Sequence, residues 1–203
     1  MATPVGHIIA GYAIYGFTRE PKAKERMGLV LLAVIAAVAP DLDILPGLLV
    51  GKPALYHGGI SHSLGIALLV SLGAAAILKL GGRGFLAIFS LCFLAYSSHL
   101  LLDWLGPDGR PPFGIAVFWP ISSKTYLSPV PVLLGVRHAA TADTTIIEWL
   151  RGIFSLHNVA AIAVEVALVT PFFFLFRWLR GRWGIRLSEK IQGSKAKRVW
   201  NLR

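Results

Sequence analysis

The chain has little cysteine and little charge, and each shortage excludes a class of protein. Its single cysteine, Cys92, excludes a disulfide within the chain and a structural zinc site built from thiolates, and we expect it to be a small buried apolar residue. Charged residues make up only 15% of the 203 residues, whereas soluble domains average about a quarter. Together with a hydrophobic fraction of 55% and a mean hydropathy of +0.66, this predicts one membrane domain.

Acidic residues are scarce as well, which gives the chain a net charge of +10. A basic protein can bind nucleic acid, but these basic residues lie in short clusters beside apolar runs and in the stretch from Arg177 to Arg203. That distribution is typical of the cytoplasmic loops of membrane proteins, so no nucleic acid partner is expected. No basic region precedes the first apolar run, so we expect a retained first helix rather than a cleaved signal peptide.

Five apolar runs predict an all-α, polytopic membrane bundle of about five spans. The runs are Val5–Phe17, Met27–Leu45, Ser63–Leu80, Gly84–Leu105 and Asn158–Arg177. A helix needs about 20 residues to cross about 30 Å of hydrocarbon, and the first run is the shortest. We predict a membrane-embedded domain over residues 1–180 and a basic cytoplasmic tail over residues 181–203.

The basic residues also predict the orientation of these spans. Clusters of Lys and Arg follow the first run and separate the third run from the fourth, and nine more follow Phe176. The opposite side of the membrane has only Lys52, Arg110, Lys124, Arg137 and Arg151. The positive-inside rule therefore predicts an N-out, C-in protein of the cell (inner) membrane. A proline-rich outer loop region follows the fourth run, and Thr144 or Thr145 is expected to cap a short helix that carries Glu148.

Histidine and aspartate recur at the ends of the apolar runs that this orientation places on the outer face. They are His7, Asp41, Asp43, His57, His62, His99 and Asp103. Imidazoles and carboxylates beside hydrocarbon are costly, and they usually bind a metal or move an ion. Seven donors exceed the three protein ligands and one water of a catalytic zinc, so we predict two divalent ions, zinc or else manganese or iron.

Two patterns contain the aspartates. His99 and Asp103 are four residues apart, so they share one face of a helix and can grip one ion, although a hydrogen bond between helix neighbours explains the spacing too. Asp41 and Asp43 repel each other unless a cation lies between them, which makes them candidate bridging ligands. The alternative for either acid alone is a solvated turn that ends a helix.

The third pattern runs from His57 to His62. Its two adjacent glycines let the backbone fold tightly, so both imidazoles can converge, and Ser61 or Ser63 is expected to cap the third span. The alternative is a glycine turn with two interfacial histidines. His138 and His157 are expected to be structural or interfacial.

Two glutamates are candidates of a different kind. Glu148 and Asp43 are the predicted catalytic residues, with Glu148 as general acid or base. Glu165 lies well inside the last run, and an acid at such a depth is a functional candidate that could be protonated, hydrogen-bonded or part of a proton path.

At these residues the chain resembles the LexA-regulated, inner-membrane metal-dependent hydrolase family of bacteria and archaea. The matching motifs are Gly6-His7, Ala39–Asp43, His57–Leu64, Ser98–Asp103, Gly109 and Trp119-Pro120. The His-x-x-x-Asp element is also similar to that of zinc-dependent phospholipases C, which implies phosphoester hydrolysis. The family usually has arginine and threonine where Gly58 and Ser61 stand. Arg110, Lys124 and Arg137 are therefore the candidates for binding a substrate phosphate.

The resemblance and the donor set together predict a membrane-bound hydrolase. Its substrate would be a phosphoester of a membrane lipid or of a lipid-linked molecule, cleaved at the outer face by a metal-activated water. The alternative is a cation or proton transporter or channel that uses the same His/Asp cluster and Glu165. A metal-stabilised scaffold without turnover is a third reading, and the oligomeric state is not predicted.

Overall fold

The fold is all-helical over the described part of the chain. A computed structural model of the protein describes residues 1–17, 23–80, 84–109, 113–138 and 141–200. The helices are α1 (Pro4–Phe17), α2 (Ala23–Val38), α3 (Ile44–Leu49), α4 (Leu64–Leu80), α5 (Phe85–Leu105), α6 (Ile146–Ile153) and α7 (Leu156–Trp200), with a 3-10 turn at Ala39–Asp43 between α2 and α3. Within these ranges β pairing is limited to one isolated bridge between Ile115 and Tyr126. The predicted all-α class is confirmed.

Among the described residues, three helical stretches are long and apolar enough to cross a membrane. They are Arg26–Leu49, which combines α2, the 3-10 turn and α3, then Phe85–Leu105 and Leu156–Arg182. Helix α4 is apolar but has 17 residues, and α1 has 14. The chain is therefore a membrane protein with three helices of spanning length, while the count of five spans stays a prediction.

The outward surfaces of these helices are strongly apolar. Leu31 of α2 is 52% exposed, Leu86 of α5 is 72% exposed and Phe174 of α7 is 64% exposed. A contiguous surface of this kind is unfavourable in water but is compatible with lipid chains. The exposed apolar residues thus agree with the composition of the chain.

Small residues let the helices approach one another closely. Helix α1 packs against α2, α5 and α7, and α5 packs against α2 and α4. Gly11 of α1 faces α2: a Cβ added there would lie 2.7 Å from the Cβ of Ala37 and 2.8 Å from the carbonyl oxygen of Ala33. Because membrane helices gain no hydrophobic driving force from lipid, such close van der Waals packing is a main source of their association.

One end of the bundle gathers the ends of four helices. Helices α1 and α4 begin there, at Pro4 and Leu64, while α2 runs into the 3-10 turn there and α5 stops at Leu105. The outer loop region covers this end, because Leu64 donates a backbone hydrogen bond to Val117 (2.9 Å). The four chain segments that carry the predicted ligands therefore meet at one level of the fold.

The predicted caps are present. Thr145 caps α6 and forms a capping box with Glu148, and the amide of Ile66 donates to the hydroxyl of Ser63 (3.3 Å) at the start of α4. Each cap satisfies backbone N–H groups that have no partner within the helix. The sequence signals for these two helix starts were sufficient because capping is local.

Replacement of Gly11 by alanine tests the contact between α1 and α2. We expect Gly11→Ala to destabilise the protein by about 1–3 kcal/mol, since the new methyl group overlaps a backbone oxygen that cannot move aside. Thermal unfolding in detergent measures the effect. Gly73→Ala is the matched control, because a Cβ at Gly73 in α4 meets nothing within 4 Å. An unchanged melting temperature for Gly11→Ala would contradict the proposed close packing.

Candidate metal centre

Three of the predicted ligands form a tight triangle of donor atoms. The Oδ2 atom of Asp103 lies 3.1 Å from Nε2 of His99 and 3.3 Å from Nε2 of His62, and the two nitrogens are 3.2 Å apart. Ligands that share a tetrahedral ion at about 2.0–2.1 Å are themselves about 3.3 Å apart. The spacing of the three atoms therefore fits a common metal ion.

Asp41 joins this triangle, and two more imidazoles flank it. The Oδ1 atom of Asp41 lies 3.5 Å from Nε2 of His99, 3.6 Å from Nε2 of His62 and 4.0 Å from Nδ1 of His57. The ring of His7 stacks on that of His99, with centroids 3.6 Å apart, and its Nε2 lies 3.4 Å from Oδ1 of Asp103.

Six of the seven predicted ligands therefore take part in groups with metal-binding spacing. Three triads have ligand atoms within 4.8 Å of one another, namely His7/Asp41/His99, Asp41/His57/His62 and His62/His99/Asp103. The first two triads share only Asp41. Asp41 is thus the carboxylate that two neighbouring ions would have in common.

The hydrogen bond at Nδ1 of His99 favours a cation at Nε2. Its Nδ1 lies 2.8 Å from the carbonyl oxygen of Ala37, which can only accept a hydrogen bond, so Nδ1 carries the proton. In the neutral ring Nε2 then presents a lone pair to Oδ2 of Asp103. That oxygen is buried and has no aligned hydrogen-bond donor among the described residues. A cation between the two atoms removes this repulsion.

The environment of His62 also favours positive charge. The ring is fully buried, which lowers its pKa, but the neighbouring carboxylates of Asp103, Asp41 and Asp43 outweigh burial and hold the pKa well above its usual value. The carboxylates thus attract either a proton or a metal ion to this position.

Asp43 lies behind two imidazoles rather than among the donor atoms. Its carboxylate accepts hydrogen bonds from Nδ1 of His57 (2.8 Å), the amide of Gly58 (3.0 Å) and the hydroxyl of Ser61 (2.6 Å). Nδ1 of His62 lies 3.3 Å away. Carboxylates in this position fix the tautomer and the orientation of metal-binding histidines. Of the two acids predicted to bridge, Asp41 lies among the donors and Asp43 lies against the histidines' outer nitrogens.

The loop that carries His57 and His62 is held by Tyr96, which the sequence did not indicate, and is shaped by one of the glycines predicted to let it fold. The hydroxyl of Tyr96 in α5 donates to the carbonyl oxygen of Ser61 (2.6 Å), and Gly58 adopts a positive φ of 80° that favours glycine. Tyr96 precedes His99 by three residues, so helical spacing could have placed it on the same face. The carbonyl group of Ala37 has no signal in the sequence.

The predicted catalytic and substrate-binding residues Glu148, Lys124 and Arg137 are not among the donor groups of this cluster. The carboxylate of Glu148 is exposed and accepts hydrogen bonds from the amide and the hydroxyl of Thr145 (both 2.9 Å), and these bonds lower its pKa. Lys124 is exposed, and Arg110 lies outside the described residues. Arg137 is exposed too, and its backbone amide donates to the side chain of Asn158 (2.8 Å).

A cavity of about 850 Å³ lies beside the cluster. Arg137, His138 and Glu148 contribute to its lining. The ring of His138 lies 5.4 Å from the ring of His57, so this histidine contacts both the cavity and one ring of the cluster. Arg137 and Glu148 thus line one cavity next to the cluster. Among the contacts of the described residues, none joins Glu148 to the metal-binding donors.

The chain matches one family model over nearly its whole length. The model is described as YdjM inner membrane protein, and it matches residues 1–184. No curated protein and no solved structure matches the chain. The matched range includes every residue of the His/Asp cluster, and its description agrees with a membrane location.

Asp43 can be tested as an orienting residue by measuring metal affinity. We expect Asp43→Asn to weaken zinc binding by about 10–100-fold while the number of bound ions stays the same, since an outer hydrogen bond is lost rather than a ligand. Competition titration with a chelating dye measures the affinity, and elemental analysis measures the stoichiometry. Asp143→Asn is the control, because Asp143 is an exposed partner of Lys52 (2.6 Å). Loss of one whole ion in Asp43→Asn would show that Asp43 is itself a ligand.

Proposed function

The chain belongs to the YdjM inner membrane protein family, and from this premise we propose that it is a membrane-bound, metal-dependent hydrolase. Its proposed substrate is a phosphoester of a membrane lipid or of a lipid-linked molecule. The observation that carries the proposal is the triangle of Asp103, His62 and His99, whose donor atoms are 3.1–3.3 Å apart in a buried site. Such spacing in a low-dielectric site is favourable when a metal ion, or a proton on His62, lies between the donor atoms.

We assign two divalent ions to the cluster, zinc or else manganese or iron, with Asp41 shared between them. Support comes from the triads His7/Asp41/His99 and Asp41/His57/His62, which have only Asp41 in common. With two ions bound, His99 and His62 would belong to different ions, because one imidazole nitrogen binds one ion, and Asp103 would lie beside both. Three carboxylates, those of Asp41, Asp43 and Asp103, also leave a large negative charge for cations to balance. Bound ions of this kind supply a hydroxide near neutral pH and stabilise negative charge on phosphoryl oxygens.

The protein's own side chains prepare this chemistry by orientation. Nδ1 of His57 bonds to Asp43 and Nδ1 of His62 lies 3.3 Å from it, while Nδ1 of His99 donates to the carbonyl oxygen of Ala37. These contacts fix the rings of His62 and His99 so that their Nε2 atoms face the other donors. Glu148, which is exposed and lines the cavity, is the proposed general base or acid.

The cavity beside the cluster is the proposed position of the substrate's polar head group. Arg137 contributes a permanent positive charge for a phosphate, and His138 contacts both the cavity and His57. Lys124 and Arg110 are further candidates on the same outer region. The lipid chains of the substrate would extend along the apolar helix surfaces.

The proposed topology has five spans, an outer N-terminus and a cytoplasmic C-terminus. Helices α1 and α4 are shorter than the other three, so they require local thinning of the bilayer or shielding by neighbouring helices. The cluster then faces the outer side, since Lys79 and the basic residues beyond Phe176 lie at the opposite helix ends.

The alternative of a cation or proton pathway gains less support. Among the described residues, all triads of possible metal ligands belong to this one cluster at one end of the bundle. A transport path needs polar groups at successive depths through the membrane. Glu165, the acid that favoured transport, is in contact with Thr3.

Activity and metal content test the proposed hydrolase together. We expect purified protein to hydrolyse members of a phospholipid and phosphoester panel in mixed micelles, to lose activity with a chelator and to regain it with zinc or manganese. His99→Ala and Asp41→Asn should lower activity by at least about 100-fold, because they remove ligands rather than outer contacts.

Ser71→Ala and Lys79→Gln are the control variants. Ser71 is buried within α4 and Lys79 lies in the last turn of α4, and neither residue belongs to the cluster or lines the cavity. Wild-type protein that binds no divalent metal, or ligand variants that keep full activity, would contradict a hydrolase. Bound metal without hydrolysis of the panel would favour a scaffold.

A further inference from the structure

Glu165 is a buried acid whose hydrogen-bond partner, Thr3, immediately precedes another helix, α1. It is part of α7, within a stretch of spanning length, and it is 0% exposed. Its Oε1 atom accepts a hydrogen bond from the amide of Thr3 (2.8 Å), and its Oε2 atom accepts one from the hydroxyl of Thr3. An acid in such a position is costly unless its oxygens are bonded, and here both are.

The start of α1 is built to receive this carboxylate. Thr3 precedes α1 and acts as its cap, because its hydroxyl oxygen accepts from the amide of Gly6 (3.3 Å). The N-terminal end of a helix favours negative charge. Gly6 also leaves the necessary space, since a Cβ at that position would overlap with Oε2 of Glu165.

Ala2, the residue before Thr3, contacts the candidate metal centre. Its amide donates to Oδ1 of Asp103 (2.8 Å), and Ala2, Thr3 and Asp103 are all buried. This bond fixes the rotation of the carboxylate, so Oδ2 faces His62 and His99. Ala2 and Thr3 thus connect Glu165 on one side with Asp103 on the other.

The histidine of α1 depends on the same turn. The amide of His7 donates to the carbonyl oxygen of Thr3 (3.3 Å), and Nε2 of His7 lies 3.4 Å from Oδ1 of Asp103. A shift of Thr3 would therefore move both His7 and the donor that holds Asp103.

From these contacts we propose that Glu165 is a positioning residue of the metal centre, acting through Thr3 and Ala2 on Asp103 and His7. This role rests on the proposed function, because it requires that the cluster bind a metal ion. Glu165 would then set the geometry of the metal ligands and would not be part of a proton or cation path.

Two substitutions of Glu165 separate its hydrogen bonds from its charge. Glu165→Gln keeps an oxygen that accepts from the amide of Thr3, whereas Glu165→Leu has a similar volume and suits the membrane interior but accepts nothing. We expect near wild-type zinc affinity in Glu165→Gln and a loss of about 10–100-fold in Glu165→Leu. Thr3→Ser should behave like wild type and Thr3→Val should weaken zinc binding. Val166→Ala is the control for an unrelated change in α7.

The visible spectrum of bound cobalt reports the coordination geometry directly. We expect wild type and Glu165→Gln to give the same spectrum, and Glu165→Leu to give an altered one because Asp103 and His7 have moved. An unchanged affinity and an unchanged cobalt spectrum in Glu165→Leu would overturn the inference. The inference would also be overturned if wild-type protein conducted cations in proteoliposomes and the Glu165→Gln variant lost this flux while it bound zinc as wild type does.

Hydrogen exchange of the metal-free protein tests the connection independently of any metal. The amides of Ala2, Thr3 and Gly6 should exchange slowly in wild type and in Glu165→Gln, and faster in Glu165→Leu. Equal exchange in all three proteins would overturn the inference. Absence of zinc binding by wild type would instead contradict the proposed function, so the two failures are distinguishable.

Discussion

The rest of the site depends on one interaction, the contact of a buried carboxylate oxygen with two inward-facing imidazole nitrogens. Oδ2 of Asp103 has no aligned hydrogen-bond donor among the described residues, and it faces His62 and His99 at 3.3 and 3.1 Å. In an apolar environment such an arrangement is unfavourable by several kcal/mol unless a cation is present. The surrounding structure therefore has to hold the groups together at a cost, and it does so from several helices at once.

Close helix packing and ligand orientation are achieved by the same residues. Ala37 illustrates this: its Cβ packs opposite Gly11, while its carbonyl oxygen accepts the Nδ1 proton of His99. Small side chains bring the backbones of α1, α2 and α5 near enough for a main-chain group to act as an outer partner of a ligand. Stability of the bundle and geometry of the centre are thus coupled, because loosening the helices also releases an imidazole.

The buried acids and histidines of the described helices are concentrated near one end of the bundle. The candidate metal ligands meet at one end of the bundle, and the deep acid Glu165 bonds to the cap of α1. A buried charge that only stabilises structure is often no better than an apolar residue. Its presence here is understandable because it holds the segment that aligns Asp103, which an apolar side chain cannot do.

The sequence by itself determined the all-α membrane class, narrowed two helix caps to Ser61 or Ser63 and to Thr144 or Thr145, and indicated the candidate ligands, because each follows from composition or from local spacing. It did not distinguish Asp41 from Asp43, nor reveal the contacts of Ala37, Tyr96 and Thr3. Those depend on how distant segments approach one another, and two acids separated by one residue have the same local signal. Only the packed helices decided which carboxylate faces the donors and which lies behind the histidines, since a side chain's role depends on what surrounds it in space.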